Sequence, residues 1–182
     1  MGTTSMVCSC SRLGADLLNS YLGEPISGIC PHSYTDANLN HCAHFVCHVM
    51  NLSAGAVTCR GMASTKAAGH QGVCIRVHEL FAECPQVDEL TSSSSNPFGD
   101  GCFVFVTARS AVNVGAHTMS NVPRKHVGIG LGNTIWHYSN TQDQVVTTTP
   151  ELFIYHYSGQ TNGLYRGSFP DRSTPTRLGC AL

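Results

Sequence analysis

Residues 41–50 of the chain, HCAHFVCHVM, concentrate side chains that carry chemistry. The decapeptide holds two cysteines and three histidines around a Phe-Val pair. Thiolate sulfur and neutral imidazole nitrogen are the usual ligands of Zn²⁺. A thiol beside an imidazole is also the arrangement of a cysteine nucleophile with its general base. The segment therefore indicates a metal site, a catalytic thiol, or a helix that is merely rich in soft ligands.

A helical wheel separates these ligands onto two faces. At 3.6 residues per turn, Phe45, Val46 and Val49 form an apolar stripe centred on Cys42. A second stripe on the opposite side of the helix contains His41, His44 and His48. Cys47 belongs to neither stripe. Cys42 therefore cannot share a tetrahedral ion with His44 or His48. The three histidines could still hold a metal among themselves, but a solvated polar face is the preferred interpretation, and no metal or other cofactor is predicted.

Cys42 is the stronger candidate for chemistry. With Asn40 as the N-cap, Cys42 lies in the first turn of the helix, where unpaired N–H groups and the helix dipole favour an anion. Such a position lowers a thiol pKa and increases the fraction of reactive thiolate. The alternative is a buried structural cysteine.

A thiolate nucleophile needs an imidazole to relay a proton, and that imidazole needs an orienting acceptor. The segment HVGIGLGNTIWH offers both, since it begins at His126 and ends at His137. In an antiparallel hairpin these two positions are close to cross-strand neighbours, so one ring can hydrogen-bond the other. For each histidine alone, a half-exposed strand residue is the simpler interpretation.

Helices followed by strands must position these residues. Helical spacing and stop signals predict helices over 12–23, 40–52 and 75–84. From residue 102, four segments rich in β-branched and aromatic residues predict consecutive strands: CFVFVTA, HVGIGLG, TIWHYS and QVVTTT. The polar run at 91–101 predicts an exposed loop. This order predicts an α+β domain, with N-terminal helices packed on an antiparallel β-sheet.

Composition excludes several classes of function. The 182 residues carry a formal net charge of -1, and only 12% are charged, so no basic field exists to attract nucleic acid. No apolar run approaches the roughly 18 to 20 residues of a membrane span, which predicts a soluble protein. The N-terminus lacks the pattern of a secretory signal. Ten cysteines without a repeated CxxC predict mostly small buried hydrophobes, with one or two disulfides in an oxidising compartment.

Two motifs in this order resemble a family of enzymes. CAHFV at 42–46 is similar to the nucleophile helix of the NlpC/P60 cysteine peptidases and their CHAP amidase relatives. HVGIGLGNTIWHYS at 126–139 is similar to their second motif, and CFVFV at 102–106 lies where the family has a strand. The resemblance implies a papain-like fold without a cofactor. It makes Cys42 the nucleophile, His126 the general base and acid, and His137 the orienting residue.

The resemblance also implies a function. It predicts an amidase or endopeptidase that hydrolyses amide bonds in the peptide stems of bacterial peptidoglycan. In its size and its lack of a secretory signal, the chain further resembles antibacterial amidase toxins. This looser resemblance implies action in the periplasm of a target cell after non-classical secretion, and a cognate immunity protein as partner. The chain is then one catalytic domain over 1–182, with a core at about 12–157 and a C-terminal extension over 158–182. Two alternatives stay open: a lipid acyl hydrolase or acyltransferase of the same fold, and a non-enzymatic module that binds a metal or a partner.

Overall fold

The computed structural model describes residues 13–91 and 94–178 of the chain. Cys8, Cys10 and Cys180 lie outside these residues. All seven described cysteines are buried, as the sequence predicts, and none of the seven forms a disulfide.

Six short α-helices occur in the described residues. They are α1 (Ala15–Asn19), α2 (Ile26–Ile29), α3 (Cys42–Val49), α4 (Cys59–Met62), α5 (Val77–Glu83) and α6 (Pro150–Phe153). The three predicted helices are confirmed in place, as α1, α3 and α5, but each is shorter than predicted. The chain turns after α1, where the N–H of Gly23 donates to Val145 instead of continuing the helix. α5 ends two residues before Pro85, because proline cannot extend a helix.

Eight strands form two antiparallel sheets in the part of the chain that the structure describes. They are β1 (Val87–Glu89), β2 (Cys102–Ala108), β3 (Val112–Asn113), β4 (Thr118–Met119), β5 (Lys125–Leu131), β6 (Thr134–Ser139), β7 (Gln144–Thr148) and β8 (Asn162–Gly167). The main sheet has the order β1-β8-β2-β5-β6-β7, and β3 pairs with β4. The four predicted strands are confirmed as β2, β5, β6 and β7.

The last strand enters the interior of the sheet. β8 lies between β1 and β2, with Phe105 opposite Tyr165 and Val106 opposite Leu164. The strand Asn162–Gly167, which falls in the segment predicted as an extension, therefore belongs to the main sheet. The motif NGLYRG contains two glycines and one arginine, and so it lacks the β-branched composition that indicated the other strands.

Strand alternation gives the main sheet two distinct faces. The helix face carries Phe103, Phe105, Val127, Ile129 and Tyr138, which share one core with α3 and α5. The opposite face carries a smaller core, which α6 covers through Phe153: Val104, Val106, Ile135 and Leu164. We call these the helix face and the far face. The predicted α+β class, with helices packed on an antiparallel sheet, is confirmed.

Within the described residues, no helix has the length and the apolar character needed to cross a membrane.

Candidate functional site: a Cys2His2 cluster on α3

Cys42 begins α3 and is buried against the sheet, with a relative exposure of 1%. The N-cap residue is His41 and not Asn40 as predicted, but the side chain of Asn40 still accepts the backbone N–H of Cys42 at 3.0 Å. Burial raises the pKa of the Cys42 thiol to about 11, while the backbone N–H groups of Val127 and Ala43 act in the opposite direction. The apolar stripe that places Cys42 inward thus outweighs the favourable position at the helix start.

His126 and His137 form the predicted cross-strand contact. His126 Nε2 and His137 Nδ1 are 3.0 Å apart, so one ring donates a hydrogen bond to the other. His137 lies directly opposite Gly128 in the β5–β6 pair. A Cβ at Gly128 would lie 3.1 Å from the Cβ of His137 and 2.8 Å from the carbonyl oxygen of Trp136. A side chain at Gly128 would therefore collide with the β6 strand at Trp136 and His137.

The structure does not bring Cys42 to these two histidines. Cys42 packs on the helix face with Val127, whereas His126 lies opposite Val106 on the far face. Successive residues of a strand point to opposite sides of a sheet, so the side chains of His126 and Val127 cannot share a face. Among the described residues, no hydrogen bond joins the Cys42 sulfur to either ring. Cys42, His126 and His137, predicted as one catalytic site, are divided between the two faces of the sheet.

His126 and His137 belong instead to a histidine cluster with His156. The His156 ring stacks on His126 at a centroid distance of 4.1 Å, and Phe153 contacts His126 and His137. Burial lowers the pKa of His126 well below its ordinary value and that of His137 to about 4, and the positive charge of a protonated His156 acts in the same direction. His126 Nδ1 is buried without a hydrogen-bond partner in the described structure. Both inner rings are therefore neutral at pH 7.

A second cluster lies on the outer side of α3. One ligand atom from each of Cys30, His44, His48 and Cys59 lies within 4.8 Å of the other three. Cys30 follows α2, the two histidines are one turn apart on α3, and Cys59 begins α4. Two sulfurs and two imidazole nitrogens are the donor set of a tetrahedral zinc centre. We call these four residues the metal cluster.

The distances within the metal cluster suit a tetrahedral ion. His44 Nε2 and His48 Nε2 are 3.2 Å apart, and Cys59 Sγ is 3.9 Å from His48 Nε2. Bond lengths of about 2.0 Å to nitrogen and about 2.3 Å to sulfur place two nitrogens about 3.3 Å apart and a nitrogen and a sulfur about 3.6 Å apart around Zn²⁺. The cluster therefore has nearly the dimensions that the ion requires.

A relay of hydrogen bonds fixes the tautomer of His44. The carbonyl oxygen of Asp36 accepts only, so His41 Nε2, at 2.8 Å from it, carries a proton. Burial lowers the pKa of His41, so its ring is neutral and its Nδ1 accepts a hydrogen bond. His44 Nδ1 lies 3.1 Å from that nitrogen and must donate, which leaves a bare lone pair on His44 Nε2. This is the outer-shell arrangement that orients a metal-ligating histidine.

The two sulfurs also have outer-shell donors. The backbone N–H of Val73 donates to Cys59 at 3.3 Å, and that of His32 donates to Cys30 at 3.4 Å. A hydrogen bond from the Cys30 thiol, with a further hydrogen bond from His48, lowers the pKa of Cys59. The same bond raises the pKa of Cys30, because Cys30 is the donor. One thiolate is thus already favoured, and a bound cation would deprotonate the other thiol.

The prediction of a solvated histidine face is wrong. His41 and His44 have a relative exposure of 0% each. The chain around Cys30 and the segment from 59 to 74 form another layer over this side of α3, which a helical wheel cannot reveal. The wheel correctly excluded Cys42 as a partner of His44 and His48. The i, i+4 pair was a readable ligand signal, but its two cysteine partners lie in separate loops and were missed.

No protein-family model matches the chain, and searches of curated proteins and of solved structures found no match either. The resemblance to the NlpC/P60 enzymes therefore stays a prediction that depends on the motifs alone.

Proposed function

We propose that the protein binds one Zn²⁺ ion in the metal cluster and that the ion holds the helical layer together. The observation that carries this proposal is the convergence of Cys30, His44, His48 and Cys59 within 4.8 Å. Two thiolates and two imidazoles favour zinc over the hard cations, which prefer oxygen ligands. Four protein ligands fill a tetrahedral ion, which is typical of structural zinc and not of catalytic zinc.

The surrounding chain explains what the ion would stabilise. Between α3 and α5 the chain contains only the four-residue α4 and an isolated bridge from Thr58 to Cys74. α2, before Cys30, is also four residues long. Such segments have little regular hydrogen bonding, and a metal with one ligand in each of these two segments and two ligands on α3 removes much of their conformational freedom on folding. The ion would therefore join α2 and α4 to α3.

The test is the metal content of the full chain, expressed with zinc and purified without chelator. One zinc per protein is expected, and Co²⁺ substituted for it should give the visible absorption of a tetrahedral centre with thiolate ligands. Cys59→Ser should lose the metal. Cys102→Ser is the matched control, since Cys102 is also buried but lies on the far face. A protein without bound metal, or full occupancy in Cys59→Ser, contradicts the proposal.

A cysteine hydrolase acting on peptidoglycan is a second candidate. The observation in its favour is that Cys42 begins a helix packed on the sheet, with the backbone N–H groups of Val127 and Ala43 on its sulfur. Purified peptidoglycan incubated with the wild type and with Cys42→Ala tests it through the released muropeptides. Release by the wild type alone supports the hydrolase, and equal release from both proteins eliminates Cys42 as a nucleophile.

A further inference from the structure

A cleft of about 650 Å³ opens beside the metal cluster. Cys30 and His48 lie on its wall, and Thr176, Arg177 and Leu178 contribute another part of it. The volume is in the range of sites that hold small molecules. Neither the metal proposal nor the hydrolase proposal uses this space.

The wall of the cleft contains several hydrogen-bond donors and one cationic group. It contains one arginine, Arg177, and three histidines, His32, His48 and His70. No aspartate or glutamate is among the described residues that line it. A Zn²⁺ ion with two thiolates and two neutral imidazoles carries no net charge, so Arg177 provides the formal charge of the wall. This balance favours an anionic ligand over a cationic one.

His32 offers a donor that the protein leaves unused. Its Nδ1 accepts the backbone N–H of Ala67 at 3.0 Å, so the neutral ring carries its proton on Nε2. His32 is 97% buried, with a relative exposure of 3%, and its Nε2 has no hydrogen-bond partner in the described structure. A buried donor without an acceptor is unfavourable, so an oxygen atom that reaches it gains a full hydrogen bond.

Arg177 is held at the cleft by backbone contacts on its neighbour. The N–H of Thr176 donates to the carbonyl oxygen of Val49 at 2.8 Å, and the hydroxyl of Tyr21 donates to the carbonyl oxygen of Thr176 at 2.6 Å. These bonds fix the chain immediately before Arg177 against the end of α3. The guanidinium group is exposed and suits bidentate contact with a planar or tetrahedral oxyanion.

We propose that this cleft binds a small molecule that carries an oxyanion, either a carboxylate or a phosphate. Arg177 pairs with the negative charge, and His32 Nε2 donates to one oxygen of the ligand. The metal ligands Cys30 and His48 form part of the wall beside this ligand. The proposal goes beyond the zinc centre, because a structural ion needs no ligand in the adjacent cleft.

The experiment titrates inorganic phosphate and acetate, separately, into the zinc-loaded full chain by calorimetry at low ionic strength. Saturable binding of one ion per protein is expected for at least one of the two, and the tighter one identifies the class of oxyanion. Arg177→Gln should weaken that binding by about tenfold, the usual effect of removing a charged hydrogen bond. Arg172→Gln is the control, because Arg172 is exposed and pairs with Glu83 away from the cleft.

His32→Phe tests the second contact, since it keeps a ring of similar shape and removes the donor at Nε2, together with the acceptor for the Ala67 N–H. It should also weaken binding by about tenfold. The zinc content of each variant is measured first, so that a failure of the metal centre is distinguished from a failure of the cleft. If His32→Phe loses zinc, the Arg177→Gln result decides alone. No saturable binding of either anion, or equal affinity in Arg177→Gln and the wild type, overturns the proposal.

Discussion

The protein buries histidines in two places, and the two differ in what surrounds the rings. In the metal cluster, His44 and His48 face two cysteine sulfurs, and His41 holds one ring in place from outside. On the far face, His126 and His137 face each other, a third histidine and the ring of Phe153. Both places contain neutral imidazoles, but only one of them has anionic ligands beside the rings.

This difference separates a cation site from a site that excludes cations. Around Cys59, hydrogen bonds favour the thiolate, and the relay through His41 leaves a lone pair of His44 free for a metal. Around His126, burial disfavours any positive charge, including the ring's own proton. A cluster of histidines is therefore insufficient to indicate a metal; neighbouring sulfur and a fixed tautomer are what distinguish the two.

Removal of the metal should have the largest effect. A strong chelator should lower the free energy of unfolding by several kcal/mol, because the cluster then contains uncompensated buried thiols and imidazoles. The fall is measured by thermal unfolding of the zinc-loaded and the chelated protein. His137→Gln should retain its zinc, since the far-face cluster contributes no ligand. A melting temperature that does not respond to the chelator would count against a stabilising ion.

Acid should destabilise the protein through the far-face histidines, by a smaller amount. The pKa of His137 is about 4 in the folded protein and 6.5 in the unfolded chain, so the unfolded chain binds protons first as the pH falls. Its contribution is complete above pH 6.5, decreases as the pH falls from 6.5 to 4, and does not change further below that. The loss is about 3 kcal/mol for this one group.

The pH dependence is isolated by comparison of two proteins. The free energy of unfolding of the wild type and of His137→Gln is measured by denaturant titration at several pH values from 7 to 4, and the difference between the two curves is plotted. Metal loss at low pH affects both proteins and cancels in the difference. The wild type should lose more stability than the variant over this interval. Parallel curves would mean that the His137 ring titrates normally in the fold.

The sequence predicted the far-face contact but not the metal cluster. β5 and β6 were readable from their composition, and the short LGNT turn fixes the register that brings His126 to His137. Strand alternation makes the side chains of His126 and Val127 point to opposite faces of the sheet. No pattern in the strand indicates which of these faces α3 covers. Because the side that α3 covers was unknown, the sequence did not reveal that Cys42 and the two histidines lie on different faces of the sheet.

The metal cluster depends on contacts that no local pattern contains. His44 and His48 were visible as an i, i+4 pair, but Cys30 and Cys59 reach them from segments without regular periodicity. Cys30 and Cys59 approach the histidines only because their loops pack over α3. One contact that holds these loops is the hydrogen bond from the Val73 N–H to Cys59. The spacing of residues in a sequence does not predict where a loop without regular secondary structure packs in the fold.

The outer shell of the metal cluster should have a moderate effect. His41→Phe keeps an aromatic ring but removes the acceptor for His44 Nδ1, so the His44 ring loses its orientation. Zinc affinity should fall about 10-fold to 100-fold, as measured by competition with a chromophoric chelator. Tyr34→Phe is the matched control, since Tyr34 contacts the rings of His41 and His44 and the substitution removes only a hydroxyl. Unchanged affinity in His41→Phe would show that the relay does not orient the ligand.

The smallest effect should come from His156, the exposed member of the far-face cluster. Its charge is one of the causes that lower the pKa of His126 and of His137. His156→Gln removes that charge, so the pKa of His137 should rise towards its ordinary value, but burial, the larger cause, keeps it lowered. NMR titration of the ring protons measures the change directly. Zinc content should stay at the wild-type value, because the sheet separates His156 from the metal cluster, and a coupled loss of zinc would show that the two histidine clusters are not independent.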